Sequence, residues 1–250
     1  MPNDQSPTEK THSERLHPIV AVKAIRALIR DKEDTSQVFK IMRALSGKTM
    51  KRNYVRFEKS PVGRQVLENK IELIDTLTNR DYLASLPGGT LGAAYYDFVS
   101  REQISPEGLV EAGEEFQDEM TQDEEGPRFA RRIRDQHDLW HTLTGYGRDG
   151  FGEVCVVAFS YGQTTHKGFG LIALIGAMHT AKENPRQGVL SAAWQAYRAG
   201  RKAAWLIEQD WEALLERPLS DVRTQLNINE PSKYKAAKQV IENTGLAAAA

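Results

Sequence analysis

The chain is poor in the residues that build cross-linked scaffolds. Its 250 residues include one cysteine, Cys155. That excludes an intrachain disulfide framework and a cysteine-based zinc knuckle, and it fits a reducing compartment. Long apolar runs are missing too. A spanning helix needs roughly 20 such residues, and the nearest candidate, residues 168–178, predicts a short buried helix instead. Neither sign of charge is in excess: 33 Lys and Arg against 34 Asp and Glu leave a net charge of −1. A dedicated nucleic-acid binder usually carries a basic surplus, so nucleic acid is not an expected partner. The first eighteen residues are polar, which predicts no secretory signal there. Any membrane association is then expected to be peripheral. Strand signals are equally scarce. Residues 153–159 (EVCVVAF) are the one strand-like run. With no second strand to pair with, this run is read as helix.

What is present is helical periodicity. Val22, Ile25 and Ile29 recur at spacings of three and four, as do Val38, Ile41, Met42 and Leu45 before Gly47. Ser60-Pro61 predicts an N-cap followed by proline in the first turn, with Leu67, Ile71 and Ile74 on one face. Residues 86–90 (LPGGT) break the pattern, and Leu91, Tyr95 and Phe98 resume it. Ser105-Pro106 predicts another helix start, and Gly126-Pro127 begins the next. Residues 107–125 are acidic, and Arg128, Arg131, Arg132 and Arg134 follow. Charge runs of this kind are expected as solvated faces or as neighbours pairing across a turn. At 40% hydrophobic the chain can bury a sizeable core. The expected architecture is all-α: one helical domain over residues 19–234, a flexible polar tail at 1–18 and a C-terminal tail at 235–250.

Two of the six histidines stand four apart in His137-Asp138-Leu139-Trp140-His141. Four residues advance a helix by slightly more than one turn, so the two imidazoles lie about 40° apart. Asp138 shares their arc, and Phe129, Ile133 and Trp140 form the apolar stripe beside His137. The helix is expected to end near Gly145 and the next to start at Asp149 or Gly150, which puts Glu153 in its first turn. A two-helix hairpin with a metal-binding turn follows, in which Glu153 meets His141. Two imidazoles and two carboxylates suit a borderline divalent ion. Zinc is the expected one, with iron, manganese and cobalt as alternatives. Three other metal motifs fail on their residues. A zinc-protease helix needs Glu after its first His. A di-iron bundle needs two Glu-x-x-His segments. A His-Asp phosphohydrolase needs a further upstream His, and none lies between His17 and His137.

The segment HDLWHTLTGYGRDGFGE contains His-Asp-x-x-His, eleven intervening residues, then Glu. In this it resembles the signature of the Coq4 family of coenzyme Q (ubiquinone) biosynthesis proteins. Residues 86–92 (LPGGTLG) with Tyr95 and Phe98, and residues 209–228 (QDWEALLERPLSDVRTQLNI), are similar to further segments of that family. The resemblance covers residues 19–234. It implies a divalent metal, usually assigned as zinc, at His137, Asp138, His141 and Glu153, which also become the catalytic candidates. It implies a homodimeric all-α protein that acts at the membrane face on a polyprenylated benzoquinone precursor, alongside other quinone-biosynthesis proteins. The implied reaction is an oxidative decarboxylation that replaces the ring carboxylate by a hydroxyl. The alternative is a non-catalytic, lipid-binding organiser of a biosynthetic complex whose metal is structural. The expected location is cytoplasmic, peripheral on the inner face of the membrane. Tyr146, Arg148 and Phe151, around the hairpin turn, are expected substrate contacts. Phe151, Phe159, Phe169, Leu171, Ile172, Leu174 and Ile175 are candidates for an apolar groove. Gly162, Gly168, Gly170 and Gly176 are expected where helices approach closely.

Overall fold

A computed structural model describes residues 16–30, 35–105 and 125–249. Among these residues the structure is all-α, with no strand beyond an isolated bridge between Thr90 and Pro218. Helices α1 (Pro18–Arg30), α2 (Thr35–Leu45), α3 (Thr49–Lys59) and α4 (Pro61–Glu68) come first. Next are α5 (Leu73–Thr78), α6 (Arg80–Ser85) and α7 (Leu91–Arg101). Helices α8 (Glu125–Thr144), α9 (Gly150–Thr164), α10 (Lys167–Glu183) and α11 (Val189–Lys202) form the body. Helices α12 (Trp211–Leu215), α13 (Leu219–Gln225) and α14 (Ser232–Ala249) complete the chain. The acidic run and the helix start expected at Ser105-Pro106 fall largely outside the described residues.

The local signals act as chemistry dictates. The Ser60 hydroxyl accepts from the Gly63 amide and caps α4. Gly47, at φ +49°, lies just past the end of α2. The helix expected to run on through Ile71 and Ile74 instead breaks at Lys70, which takes a left-handed φ of +53°, and restarts as α5. Helix α9 is the central element. It packs most extensively on α11, and two glycines set the separation. A methyl group on Gly200 would lie 2.2 Å from the Phe159 carbonyl oxygen, and one on Gly162 would lie 2.6 Å from that of Tyr197. Only hydrogen fits at either crossing point. Around this pair Phe159, Leu139, Trp211 and Leu206 are fully buried in one continuous core. Each of the aliphatic and Phe side chains contributes roughly 2 kcal/mol of transfer free energy.

Helices α1 and α2 sit outside that core. They form a separate cluster with Leu171, Ile172 and Ile175 of α10. The buried face of α1 is Ala21, Ala24 and Ile25, whereas Val22 and Ile29 are exposed. Of the three large residues that mark the helical spacing, Ile25 is buried, and alanines complete the buried face. Helix α10 also departs from expectation. It is buried only along Gly168, Ala173 and Ala177, while Leu174 and Met178 face solvent.

The arginines of α8 do not form a simple solvated face. Arg132 is buried and makes a bidentate pair with Glu212 of α12, with both N···O distances 3.0 Å. Arg128 and Arg131 reach Glu72 at the start of α5, and Arg134 pairs with Asp135. These contacts fix α8 against two short helices. At the far end, the boundary expected at residue 234 falls inside α14. That helix buries Tyr234 and Ala237 against the body before running out to Ala249. Among the described residues no helix is long and apolar enough to cross a membrane.

Candidate metal centre

The expected hairpin is present: α8 ends at Thr144, a five-residue turn follows, and α9 begins at Gly150. Gly145 takes φ +78° to leave α8. Arg223 closes that end, its Nε donating to the Leu143 carbonyl at 2.8 Å and its Nη2 to that of Thr142 at 3.2 Å. The start of α9 is capped by Asp149, whose Oδ1 accepts from the Phe151 and Gly152 amides at 3.2 and 3.1 Å. Its Oδ2 accepts from Lys238 Nζ at 2.7 Å and from the Tyr234 hydroxyl at 3.3 Å, both on α14. Gly152 is required by the turn, since a Cβ there would lie 1.9 Å from the Gly147 carbonyl oxygen.

On this frame His137, Asp138 and His141 each offer one ligand atom, all within 4.8 Å of one another. The His137 and His141 Nε2 atoms are 3.1 Å apart. Glu153 reaches both, with Oε2 3.4 Å from His137 Nε2 and Oε1 3.3 Å from His141 Nε2. The His141 ring is fixed from behind. Its Nδ1–H donates to the Tyr146 carbonyl at 3.0 Å, which leaves the Nε2 lone pair facing the cluster. Phe98 of α7 stacks on the same ring, with centroids 5.7 Å apart and planes 17° apart. His141 is buried, but the His137 and Glu153 side chains are 39% and 37% exposed, so the cluster opens to solvent on one side.

The electrostatics favour a cation at this point. Burial alone would raise the Glu153 carboxyl pKa, but the hydrogen bonds and charges of His137 and His141 outweigh it and hold the group well below the usual carboxylate range. Burial pulls the His137 imidazole down, yet Glu153 and Asp138 together raise it above its ordinary value. The two Nε2 atoms and the Glu153 carboxylate thus meet at one point. Two imidazoles with Asp138 beside them, and Glu153 against both rings, are the donor types that suit a divalent ion.

A cavity of about 360 Å³ adjoins His141 on the α7 and α14 side. Its walls include Phe98, Tyr146 and Tyr234, and its charged residues are Arg101, Lys235 and Lys238. Of the three expected substrate contacts, Tyr146 lines this cavity. Arg148 is exposed on the turn and close enough for its charge to act on His137. Phe151 is buried in the core against Tyr234, at 5.0 Å between centroids. Of the groove candidates, Phe159 is core, Leu171, Ile172 and Ile175 pack on the α1–α2 pair, and Leu174 is exposed. Gly168, Gly170 and Gly176 do mark close approaches, to Met42, Tyr161 and Val154 respectively. Residues 86–92 act on the site indirectly. Thr90 caps α7, and the Leu91 amide donates to the Arg217 carbonyl, which anchors the helix that carries Phe98.

Asp149, Arg223, Tyr234 and Lys238 were not singled out from sequence as site residues. An aspartate directly before a glycine-rich helix start is a readable cap for Asp149. The other three act across eighty or more residues, where spacing gives no signal.

The family model for Coenzyme Q (ubiquinone) biosynthesis protein Coq4 matches residues 7–232. Ubiquinone biosynthesis protein COQ4, mitochondrial, of Podospora anserina is 31% identical over 182 residues, covering 72% of this chain and 58% of that protein. The protein of the same name from Coccidioides immitis is 29% identical over 188 residues, 75% of this chain and 64% of that one. That from Meyerozyma guilliermondii is 30% identical over 184 residues, 72% and 55%. The chain thus spans less than two thirds of the length of these relatives. The names of these relatives place them in mitochondria, which differs from the cytoplasmic location, peripheral on the inner face of the membrane, expected for this chain. The crystal structure of a Nostoc punctiforme protein with a provisional ubiquinone-biosynthesis name shares the fold, with TM-score 0.61, 22% identity, and coverage of 86% of this chain and 100% of that one.

Proposed function

We propose, from the premise that this chain belongs to the coenzyme Q (ubiquinone) biosynthesis protein Coq4 family, that it acts in ubiquinone synthesis. In this reading it replaces the ring carboxylate of a polyprenyl hydroxybenzoate precursor by a hydroxyl, working at a membrane face beside other proteins of the pathway. His137, Asp138, His141 and Glu153 hold one divalent ion, with zinc the first candidate. The observation that carries this is the meeting of His137 Nε2, His141 Nε2 and Glu153 within 3.1 to 3.4 Å, with the His141 ring locked by the Tyr146 carbonyl.

A divalent ion bound there supplies Lewis-acid polarisation of phenol or carboxylate oxygens. The chain's own residues do the rest. Phe98 and Tyr146 offer flat walls for a ring in the cavity beside His141, and Arg101, Lys235 and Lys238 steady its anionic group. Asp138, the carboxylate of the cluster that is not engaged by both imidazoles, is the candidate acceptor of the phenolic proton. The C–C bond to the carboxylate breaks and its carbon leaves as carbon dioxide, while a C–O bond forms at the same ring carbon with oxygen supplied by dioxygen or by water. Net exchange of carboxylate for hydroxyl withdraws two electrons from the ring, so dioxygen or another acceptor takes part. Zinc has no redox chemistry of its own, whereas iron does.

The organiser reading keeps one specific support: four protein ligands from a single hairpin would close a tetrahedral site, the pattern of structural metals. The solvent-open side at His137 and Glu153 favours the catalytic reading. Elemental analysis of purified protein tests the shared premise. About one divalent ion per chain is expected for wild type, with His141→Ala losing it while keeping its helical content. Equal metal in both proteins removes His141 from the ligand set.

A further inference from the structure

Large apolar side chains stay exposed on the outer strip of α10 and α11: Leu174 and Met178 on one helix, Leu190 and Trp194 on the other. Helix α10 is flanked by α2 on one side and α11 on the other, so this strip faces outward between them. Trp194 is 58% exposed yet held firmly, since its ring lies 5.2 Å from Tyr197, which in turn stacks on Tyr161 at 5.3 Å. The strip lies over the helix that carries Glu153. Val154, which follows Glu153, packs beneath Ala177 and Ala193, the chain neighbours of Met178 and Trp194.

The charge on these helices is mostly basic. Helix α11 carries Arg198, Arg201 and Lys202 and no Asp or Glu. Helix α10 begins at Lys167, exposed at the head of the strip, and its one acid, Glu183, is the last residue and pairs with His179 at 3.3 Å. Beyond α2, helix α1 repeats the pattern. Lys23, Arg26 and Arg30 stand beside exposed Ile19, Val22 and Ile29, again with no acidic residue. In a chain of net charge −1 this is a segregation of charge, and it must leave the remainder acidic. Exposed aliphatic and indole groups beside lysine and arginine, with one acid at the far end of α10 paired to His179, are the composition of an interfacial helix on anionic lipid.

We infer that the outer face of α10 and α11, extended by α1, docks on an anionic lipid surface. Trp194, Leu190, Leu174 and Met178 enter the headgroup boundary, and the basic side chains meet lipid phosphates. The inference deepens the proposed function by naming the surface that would bring a membrane-resident precursor to the cluster, and it rests on that reading for its purpose. It does not depend on turnover for its test.

The other three tryptophans, Trp140, Trp205 and Trp211, are buried, so intrinsic fluorescence reports this face through Trp194. The full chain is titrated with vesicles of phosphatidylglycerol and phosphatidylcholine, and with phosphatidylcholine alone. Anionic vesicles should give a blue shift that salt weakens and that Trp194→Phe abolishes. The pair Lys167→Glu and Arg198→Glu, both exposed, should weaken binding at least about tenfold, given roughly 1 kcal/mol per basic residue near such a surface. Unchanged melting temperature would separate this from unfolding. Binding that the double reversal leaves intact overturns this face while the membrane reading stands. A shift that depends on protein concentration without vesicles assigns the face to a second copy of the chain and overturns the lipid assignment. Absence of binding to either vesicle overturns it as well, and the metal test above still judges the cluster separately.

Discussion

His141 and His166 are both fully buried imidazoles, each 1% exposed, and their neighbours give them different roles. His141 has a carbonyl behind it and a carboxylate in front, so its ring is held with Nε2 toward Glu153 and His137. His166 has no acidic neighbour acting on it. Its Nδ1 accepts from the Gly168 amide at 3.1 Å and caps α10, which requires the neutral ring. Burial alone lowers its pKa to about 4 from an ordinary 6.5. The unfolded chain therefore binds a proton here that the folded chain refuses between those values. The stability contributed is full above about pH 6.5 and is lost progressively as pH falls to about 4, on the order of 3 kcal/mol in all. His166→Asn keeps a cap acceptor without the titration. Denaturant midpoints measured across that range should fall more steeply for wild type than for the variant, and parallel profiles would show that His166 does not carry the effect. Neither the cap nor the burial is visible in the sequence around His166, where a lone histidine between a threonine and a lysine carries no periodic signal. His137, Asp138, His141 and Glu153 were legible because helix geometry converts spacing directly into proximity.

Elements show the same division. The hairpin could be read because Gly145 and Asp149 are stop and start signals with a fixed physical meaning. What holds its two arms at their angle could not, since Arg223 and Lys238 arrive from α13 and α14. Helix α1 was legible as a helix, but the part of its buried face made by Ala21 and Ala24 was not, because hydrophobic size and not alanine marks a core in a sequence pattern. The Asp149 cap yields a separable prediction. Asp149→Ala removes the acceptor for two amides at the start of α9 and should cost about 1 to 2 kcal/mol. Asp149→Asn keeps that acceptor and loses mainly a half-exposed ion pair with Lys238, which is worth no more than about 1 kcal/mol. Because α9 carries Glu153, the alanine variant should also bind metal more weakly than the asparagine variant. Thermal melts and metal titrations of both check this, and equal loss in the two would assign the stabilisation to the charge instead of the cap.

At the scale of the whole molecule the question is whether the cluster serves chemistry or folding. The body does not depend on the cluster for a core. Helices α7, α8, α9, α11 and α12 share one continuous buried set, and the arginines of α8 tie it to α5 and α12 independently of the hairpin turn. The cluster lies at the edge of that body with one side open. A structural metal would contribute folding free energy directly, and removing a ligand would then lower abundance and melting temperature together. Asp138→Asn and Glu153→Gln keep shape and remove one charge each, so they separate the two cases. For a catalytic cluster, each variant expressed in cells lacking their own copy should abolish quinone output. The protein should stay abundant, its melting temperature should move by no more than a few degrees, and a carboxylated prenyl precursor should accumulate in the lipid extract. The measurement is precursor mass set beside protein level and melting temperature in the same strains. Normal quinone from well-folded, metal-free variants would leave the organiser reading standing. Quinone loss that tracks loss of folded protein would make the metal structural. Precursor accumulation with intact protein is the outcome expected of a cluster that does chemistry, because Asp138 and Glu153 are half-buried at the edge of α8 and α9 and neither substitution removes a packed core side chain.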